Sequence, residues 1–193
     1  MLADKLRPVI EPITTGTGRV LARARITPDA LTIFGLAAMT GCSLLVAAGR
    51  TVLGGILLIP AFLIDVFDGA LARATGRVTP WGGFLDSVAD RLADGVLFGA
   101  VVWLGAARED RMMVAAALVA LVLSLAVPYA RAKAEALGYR ASSGLGERAE
   151  RAVVICAGLI LGYVTVAMWI TAALTLVTLA GRTRSVWKQA RGA

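Results

Sequence analysis

The stretch MMVAAALVALVLSLAVPYA, residues 112–130, decides the fold because it contains no charged residue. A helix crosses the hydrocarbon core of a membrane in about 20 predominantly apolar residues, so this run is long enough for one span. Residues 30–49 form a second run of the same kind. Of the 193 residues, 58% are hydrophobic and 17% are charged, and the mean hydropathy is +0.76. Soluble domains hold about 25% charged residues, so the sequence predicts a membrane protein.

Three further charge-free runs do not match the length of one span. They are residues 51–64, 95–107 and 152–181. The first becomes a span if its helix continues to about Arg73, and the second if its helix begins near Gly82. The last run divides into two helices that turn near residues 162–165 and extend to about Leu145 and Arg184. The prediction is an all-α integral membrane protein with six transmembrane helices.

The basic residues indicate the orientation of these helices. With six spans and a cytoplasmic N-terminus, every lysine and arginine except Arg50, Arg108 and Arg111 lies on the cytoplasmic side. This is the positive-inside pattern. Five spans would place the C-terminal basic cluster on the other side. We therefore predict a multi-pass protein of the cell membrane, with both termini and the active site facing the cytoplasm.

The chain divides into three segments. Residues 1–28 form a juxtamembrane segment, in which residues 17–25 mix apolar residues with arginines and predict an amphipathic helix at the membrane surface. Residues 29–187 form the six-helix domain, and residues 188–193 form a basic tail. The net charge is +7. Because the basic residues interrupt membrane spans, they favour contact with membrane lipids and not with nucleic acid.

Five aspartates lie inside or beside the predicted spans. They are Asp65, Asp68, Asp86, Asp90 and Asp94. A carboxylate in a membrane helix is costly and indicates function by default. Spacings of three and four residues place Asp65 with Asp68, and Asp86 with Asp90, on one face of two consecutive helices. Asp94 extends the second row by one turn, and either a direct or a structural role is open for it.

Four close carboxylates repel one another unless cations neutralise them. The chain has no histidine, and its two cysteines lie in apolar runs. The carboxylates therefore favour Mg²⁺ or Mn²⁺. Four of them can hold two such ions, which suits phosphoryl transfer. An ion-pair network, such as Asp68 with Arg73 or Asp86 with Arg91, is the structural alternative.

The acidic segment resembles the signature of the CDP-alcohol phosphotransferase family. Every fixed position of D-x2-D-G-x2-A-R-x8-G-x3-D-x3-D is present, from Asp65 to Asp90. The resemblance implies that an acceptor hydroxyl attacks the β-phosphate of a CDP-linked lipid alcohol and that CMP leaves. It also implies that Asp90 takes the hydroxyl proton, and that Asp65, Asp68, Asp86 and Asp90 bind the metal ions.

The same resemblance implies contacts with the CDP lipid at seven positions. They are Asp29, Ala30, Leu31 and Thr32 at the start of the first span, and Gly69, Arg73 and Thr79. The guanidinium of Arg73 is a forked donor suited to phosphate, although anchoring the cytoplasmic end of its helix is an alternative role. Because members of the family are commonly homodimers, the resemblance also implies a homodimer.

A group of basic residues on the cytoplasmic side predicts an acceptor that is itself a phosphate monoester. The group contains Arg131, Lys133, Arg148, Arg151 and Arg182. Residues 129–135 and 146–151 resemble actinobacterial phosphatidylinositol phosphate synthases, which implies transfer from CDP-diacylglycerol to inositol phosphate.

Three positions of this region depart from that resemblance. Relatives usually have serine where this chain has Pro128. They often have lysine where this chain has Arg131 and arginine where it has Lys133. Glycerol 3-phosphate therefore stays open as the acceptor. Binding of lipid headgroups is the alternative role for some of these cations. A cation transporter that uses buried aspartates is the alternative from another class of protein.

Overall fold

The computed structural model describes residues 27–74, 76, 78–141 and 148–192, without the side chains of residues 65–70 and 74. Every regular element in these ranges is a helix. The helices are α1 Pro28–Ala47, α2 Thr51–Ala74, α3 Pro80–Ala107, α4 Arg111–Ala136, α5 Arg148–Leu161 and α6 Val164–Ala190. The prediction of an all-α fold is confirmed. The predicted surface helix at residues 17–25 lies outside the described residues.

Three of the helices, α1, α4 and α6, are long and apolar enough to cross a membrane. The first part of α2, Thr51–Ile64, is a shorter apolar helix. The 14 residues described for α5 rise about 21 Å, against a hydrocarbon core of about 30 Å. Its predicted beginning near Leu145 lies outside the described residues. Six spans therefore stay a prediction, as does the cytoplasmic position of the termini.

The division of the last apolar run is confirmed by the helix boundaries. The helix α5 ends at Leu161 and α6 begins at Val164. Between them Gly162 has a φ of +80°, a conformation that glycine adopts without steric cost. A left-handed glycine directly after a helix is a common way of ending it.

Two helices begin with the same pair of residues, a threonine followed by a proline. The hydroxyls of Thr27 and Thr79 each accept a hydrogen bond from the backbone N–H three residues later, at 3.2 and 3.0 Å. Pro28 and Pro80 then occupy the first helical position, where the missing N–H costs nothing. The sequence thus determines where α1 and α3 start.

Each helix packs mainly against two others. The packed pairs are α1 with α2, α2 with α5, α5 with α6, α6 with α4, α4 with α3, and α3 with α1, which together close a ring. Leu58, Leu97, Phe98, Leu159 and Met168 are among the largest side chains buried inside it. Many large apolar side chains face outwards, as suits a surface surrounded by lipid.

Gly158 allows α5 and α6 to pack closely. A Cβ added at Gly158 would overlap the Cβ of Ala167 and would lie 3.3 Å from the carbonyl oxygen of Tyr163. At Gly99, in the interior of α3, a Cβ would meet no atom of the described residues within 4 Å. The two glycines are therefore a matched pair for testing this contact.

We expect Gly158→Ala to lower the free energy of unfolding by about 1–3 kcal/mol, because the added methyl group overpacks the α5–α6 contact. For a chain of this size the midpoint of thermal unfolding in detergent should fall by several degrees, at about 2–4 °C per kcal/mol. Gly99→Ala should leave the midpoint unchanged or raise it slightly. Equal midpoints for the two variants would show that Gly158 is not needed for this contact.

Candidate active site

The first turns of α1 and α3 lie side by side. A Cβ added at Gly82 would lie 3.2 Å from Thr79 Oγ1 and 3.6 Å from Asp29 Oδ1. The Asp29 carboxylate therefore lies beside the beginning of α3. One turn along α1, the Thr32 hydroxyl is mostly buried and donates a hydrogen bond to the Pro28 carbonyl oxygen at 3.2 Å. Asp29 and Thr79, predicted from distant parts of the sequence, are thus brought together.

The other residues predicted for the CDP lipid lie on α1 and α2. Ala30 and Leu31 are in the first turn of α1, exposed and half-buried respectively. Arg73 is exposed in the last turn of α2. Gly69 lies on the same helix, within the stretch whose side chains the structure does not describe.

Two of the four predicted metal ligands have described side chains. Asp86 and Asp90 are half-buried and lie one turn apart on α3. Asp65 and Asp68 lie on α2, where their side chains are not described. Among the side chains that are described, no three acidic, histidine or cysteine residues form a cluster. The meeting of the two carboxylate pairs therefore stays a prediction.

The described donors nevertheless fit a divalent cation. Asp86 and Asp90 offer only carboxylate oxygens, which Mg²⁺ and Mn²⁺ accept as ligands. The chain contains no histidine that would favour a softer metal. Four residues beyond Asp90, the Asp94 carboxylate is mostly buried and lies against arginines of α5.

A cavity of about 970 Å³ opens beside Asp90, between α3, α4, α5 and α6. The charged side chains of its described lining are Asp90, Arg91, Asp94, Arg131, Glu135, Arg148, Arg151 and Arg182. Five arginines and three carboxylates give this lining a formal charge of +2. Four of the five predicted acceptor residues are included. The fifth, Lys133, is exposed on α4 and is not part of the lining.

Two arginines at the start of α5 form ion pairs with two aspartates of α3. Arg148 Nη1 lies 2.5 Å from Asp90 Oδ1, and Arg148 Nε lies 3.7 Å from Asp94 Oδ1. Arg151 Nη2 lies 3.4 Å from Asp94 Oδ2. The Arg148 guanidinium also lies 5.7 Å from the centre of the Phe62 ring. Arg148 therefore connects the acidic row of α3 to the basic side of the cavity.

The remaining arginines of the cavity are held in different ways. Arg182 is buried and donates a hydrogen bond from Nη1 to the carbonyl oxygen of Val127 at 3.0 Å. Arg131 is exposed and donates from Nε to Glu135 Oε1 at 2.8 Å. Arg151 is buried, and its Nε and Nη1 find no hydrogen-bond partner among the described residues. Because a buried donor without a partner is costly, the cavity is suited to oxygen atoms of a ligand.

Sequence spacing does not predict the pairs between α3 and α5. The structural alternative suggested by spacing was an ion pair between Asp86 and Arg91. In the structure Arg91 lies 3.4 Å from its neighbour Asp90 and donates a hydrogen bond to the Ser87 carbonyl oxygen at 2.7 Å. Only the position of Asp94, one turn beyond Asp90 on the same helix face, indicated that it could take part in the site.

Comparisons with known proteins agree with this fold. The sequence model of the CDP-alcohol phosphatidyltransferase family matches residues 25–178. A phosphatidylinositol phosphate synthase from Mycobacteroides abscessus is 39% identical over 189 residues, covering 93% of this chain and 86% of the relative. An archaetidylinositol phosphate synthase from Methanothermobacter thermautotrophicus is 34% identical, covering 97% of this chain and 95% of the relative.

Solved structures of one relative are also similar. The phosphatidylinositol phosphate synthase of Mycobacterium tuberculosis with CDP-DAG bound has a TM-score of 0.83 and 34% identity, covering 91% of this chain and 94% of that one. Its complex with manganese and citrate has the same TM-score and identity, covering 90% and 88%. The family match spans the whole signature from Asp65 to Asp90, and the chain belongs to the CDP-alcohol phosphatidyltransferase family.

Proposed function

We propose that this enzyme transfers the phosphatidyl group of CDP-diacylglycerol to a hydroxyl of inositol phosphate, releasing CMP and forming phosphatidylinositol phosphate. The observation that carries this proposal is the cavity beside Asp90, whose described lining has a formal charge of +2. A phosphate monoester carries about −1.5 to −2 at neutral pH, so it complements this charge. Because the chain belongs to an enzyme family, we reject the alternative hypothesis of a cation transporter.

The names of the relatives support the same acceptor. Both bacterial and archaeal relatives are named as synthases of inositol phosphate lipids, although the lipid parts of their products differ. A shared acceptor with different lipid donors is what a common cavity for inositol phosphate would produce. Glycerol 3-phosphate, which is also a phosphate monoester, is the competing acceptor that an experiment must test.

Five residues are proposed to bind the acceptor phosphate: Arg131, Lys133, Arg148, Arg151 and Arg182. The planar guanidinium of arginine donates two parallel hydrogen bonds to phosphate oxygens. Burial strengthens this attraction because less water surrounds the charges. Arg151 and Arg182, the most buried of the five, therefore contribute most in this proposal.

The CDP lipid is proposed to bind at the other side of Asp90, where α1 and α3 begin. The proximity of Asp29 and Thr79 supports this assignment. The family signature adds Gly69 and Arg73, and the first turn of α1 adds its neighbours Ala30, Leu31 and Thr32. The related structure with CDP-DAG bound supports a site of this kind in the same fold.

Asp90 is proposed as the general base. It lies at the wall of the cavity, where Arg148 contacts its carboxylate, so an acceptor held by the arginines would present a hydroxyl to it. A carboxylate in that position takes the hydroxyl proton as the oxygen attacks phosphorus. Asp65, Asp68, Asp86 and Asp90 would hold Mg²⁺ or Mn²⁺, with two ions proposed. Such ions, when bound, neutralise the charge of the pyrophosphate.

The proposed arrangement in the membrane keeps six spans, with both termini and the active site on the cytoplasmic side. In the ring, α3 lies between α1 and α4, and α5 lies between α2 and α6. Since α1, α4 and α6 are apolar enough to span, their neighbours are expected to span with them. Residues 1–28 and 188–193 would then flank the domain 29–187 on the cytoplasmic side. The homodimer implied by the family resemblance stays a prediction.

The acceptor is tested by supplying purified protein with CDP-diacylglycerol and one acceptor at a time. Inositol phosphate should give phosphatidylinositol phosphate, identified by the mass of the lipid. Inositol and serine, which lack a phosphate, should give at least about tenfold lower rates, because they offer the arginines of the cavity no phosphate oxygen atoms. A faster reaction with glycerol 3-phosphate than with inositol phosphate would refute the proposed acceptor.

A further inference from the structure

We propose that Asp94, which lies outside the family signature, is a positioning residue for the acceptor phosphate. In this proposal its carboxylate holds the guanidinium groups of Arg148 and Arg151 in the orientation that binds phosphate. The inference rests on the proposed function, because it requires the cavity to bind an acceptor phosphate. The sequence left a direct and a structural role open for this residue, and the proposed role is the structural one.

The geometry gives each carboxylate oxygen of Asp94 one arginine. Oδ2 lies 3.4 Å from Arg151 Nη2, and Oδ1 lies 3.7 Å from Arg148 Nε. The side chains of Asp94 and Arg151 are only 13% and 9% exposed, so little water screens the pair. Asp94 and both arginines line the same cavity.

The contact with Asp94 occupies one nitrogen of the Arg151 side chain. Its Nη2 is engaged by Asp94, whereas Nε and Nη1 are buried without a hydrogen-bond partner among the described residues. An arginine side chain has many rotamers, and fixing one of them in advance lowers the entropy lost when a ligand binds. Asp94 therefore prepares Arg151 for phosphate without occupying the whole guanidinium.

The same carboxylate acts on Arg148, which also contacts the proposed base. Arg148 places Nε towards Asp94 and Nη1 against Asp90. At 3.7 Å the Asp94 carboxylate forms an ion pair with Arg148 and not a hydrogen bond, and this attraction helps to orient the side chain that lies between the acceptor arginines and the base.

The test is Asp94→Asn, measured on the purified full-length enzyme. We expect the KM for inositol phosphate to rise about tenfold, because Arg148 and Arg151 lose the carboxylate that orients them and this loss outweighs the positive charge that the lining gains. The KM for CDP-diacylglycerol should change by less than about twofold, and kcat should fall less than the acceptor KM rises. The inhibition constant of inorganic phosphate against the acceptor should rise by the same factor as that KM.

Asp110→Asn is the matched control. It makes the same substitution between the end of α3 and the start of α4, whereas the cavity is lined by the first half of α3 and the last part of α4. Asp110 caps α4 by accepting a hydrogen bond from Met113 N at 2.9 Å and also accepts one from Thr165 Oγ1 at 3.2 Å. It does not belong to the described lining of the cavity. Both KM values should stay as in the wild type.

Asp94→Glu is a second variant, which keeps the negative charge on a longer side chain. It should give an acceptor KM between those of the wild type and Asp94→Asn, and it is measured instead if Asp94→Asn does not fold.

Two results would overturn the proposal. One is an unchanged acceptor KM, with or without a changed dependence on metal concentration, and the other is an equal rise of both KM values together with a lowered thermal midpoint. Failure of the proposed function is separable from these. If no phosphorylated acceptor reacts, inorganic phosphate should still stabilise the wild type against heat more than it stabilises Asp94→Asn.

Discussion

Asp90→Asn is expected to lower the rate of CMP release by at least about a hundredfold, with the protein still folded. A positioned general base contributes about 10²–10⁴ to a rate, and the amide that replaces the carboxylate cannot accept the proton. Asparagine keeps the size of the side chain and leaves Asp86 in place one turn earlier. The loss should therefore appear in kcat more than in the KM for either substrate.

The measurement needs a control for the loss of the Asp90–Arg148 ion pair. Thermal unfolding of Asp90→Asn should be compared with that of Asp110→Asn, which loses a charge far from the cavity. Activity of Asp110→Asn should be close to that of the wild type. Asp90→Asn with more than about a tenth of the wild-type kcat would show that another group takes the proton.

Removal of divalent cations with a chelator is expected to abolish activity, and addition of Mg²⁺ or Mn²⁺ should restore it. Divalent cations contribute several kcal/mol to the stabilisation of transition-state charge, which corresponds to about a thousandfold or more in rate. The crystal structure of a relative in complex with manganese supports this expectation. The decline in CMP release with chelator concentration, followed by titration of each metal, measures it.

The matched variant for the metal prediction is Asp86→Asn, which removes a proposed ligand but not the proposed base. It should raise the metal concentration needed for half-maximal rate, whereas Asp110→Asn should not. Full activity in excess chelator would contradict metal dependence. An unchanged metal requirement in Asp86→Asn would contradict the ligand role of that residue.

The features that could be predicted from the sequence are those set by neighbouring residues. A threonine before a proline marks the start of α1 at Pro28 and of α3 at Pro80, because capping and the fixed φ of proline act within one turn. The break at Gly162 also depends on one residue with a positive φ. The motif from Asp65 to Asp90 identified the family because its residue types and their spacing can be read directly from the sequence.

The features that could not be predicted depend on contacts between distant residues. The order of the helices in the ring, with α1 packed against both α2 and α3, follows from the shapes of whole helix faces. The pairs of Arg148 with Asp90 and of Arg151 with Asp94 join α5 to α3 across more than fifty residues. No local pattern distinguishes these arginines from Lys133, which is exposed outside the lining of the cavity.

The central claim is that an acceptor phosphate binds in the arginine-lined cavity and becomes part of the lipid product. Purified enzyme should be supplied with Mg²⁺, CDP-diacylglycerol and inositol phosphate labelled at its phosphorus, and the lipid should then be extracted. We expect the label to enter the lipid fraction in equal amount to the CMP released. Release of CMP with the label left in the aqueous fraction would contradict the account.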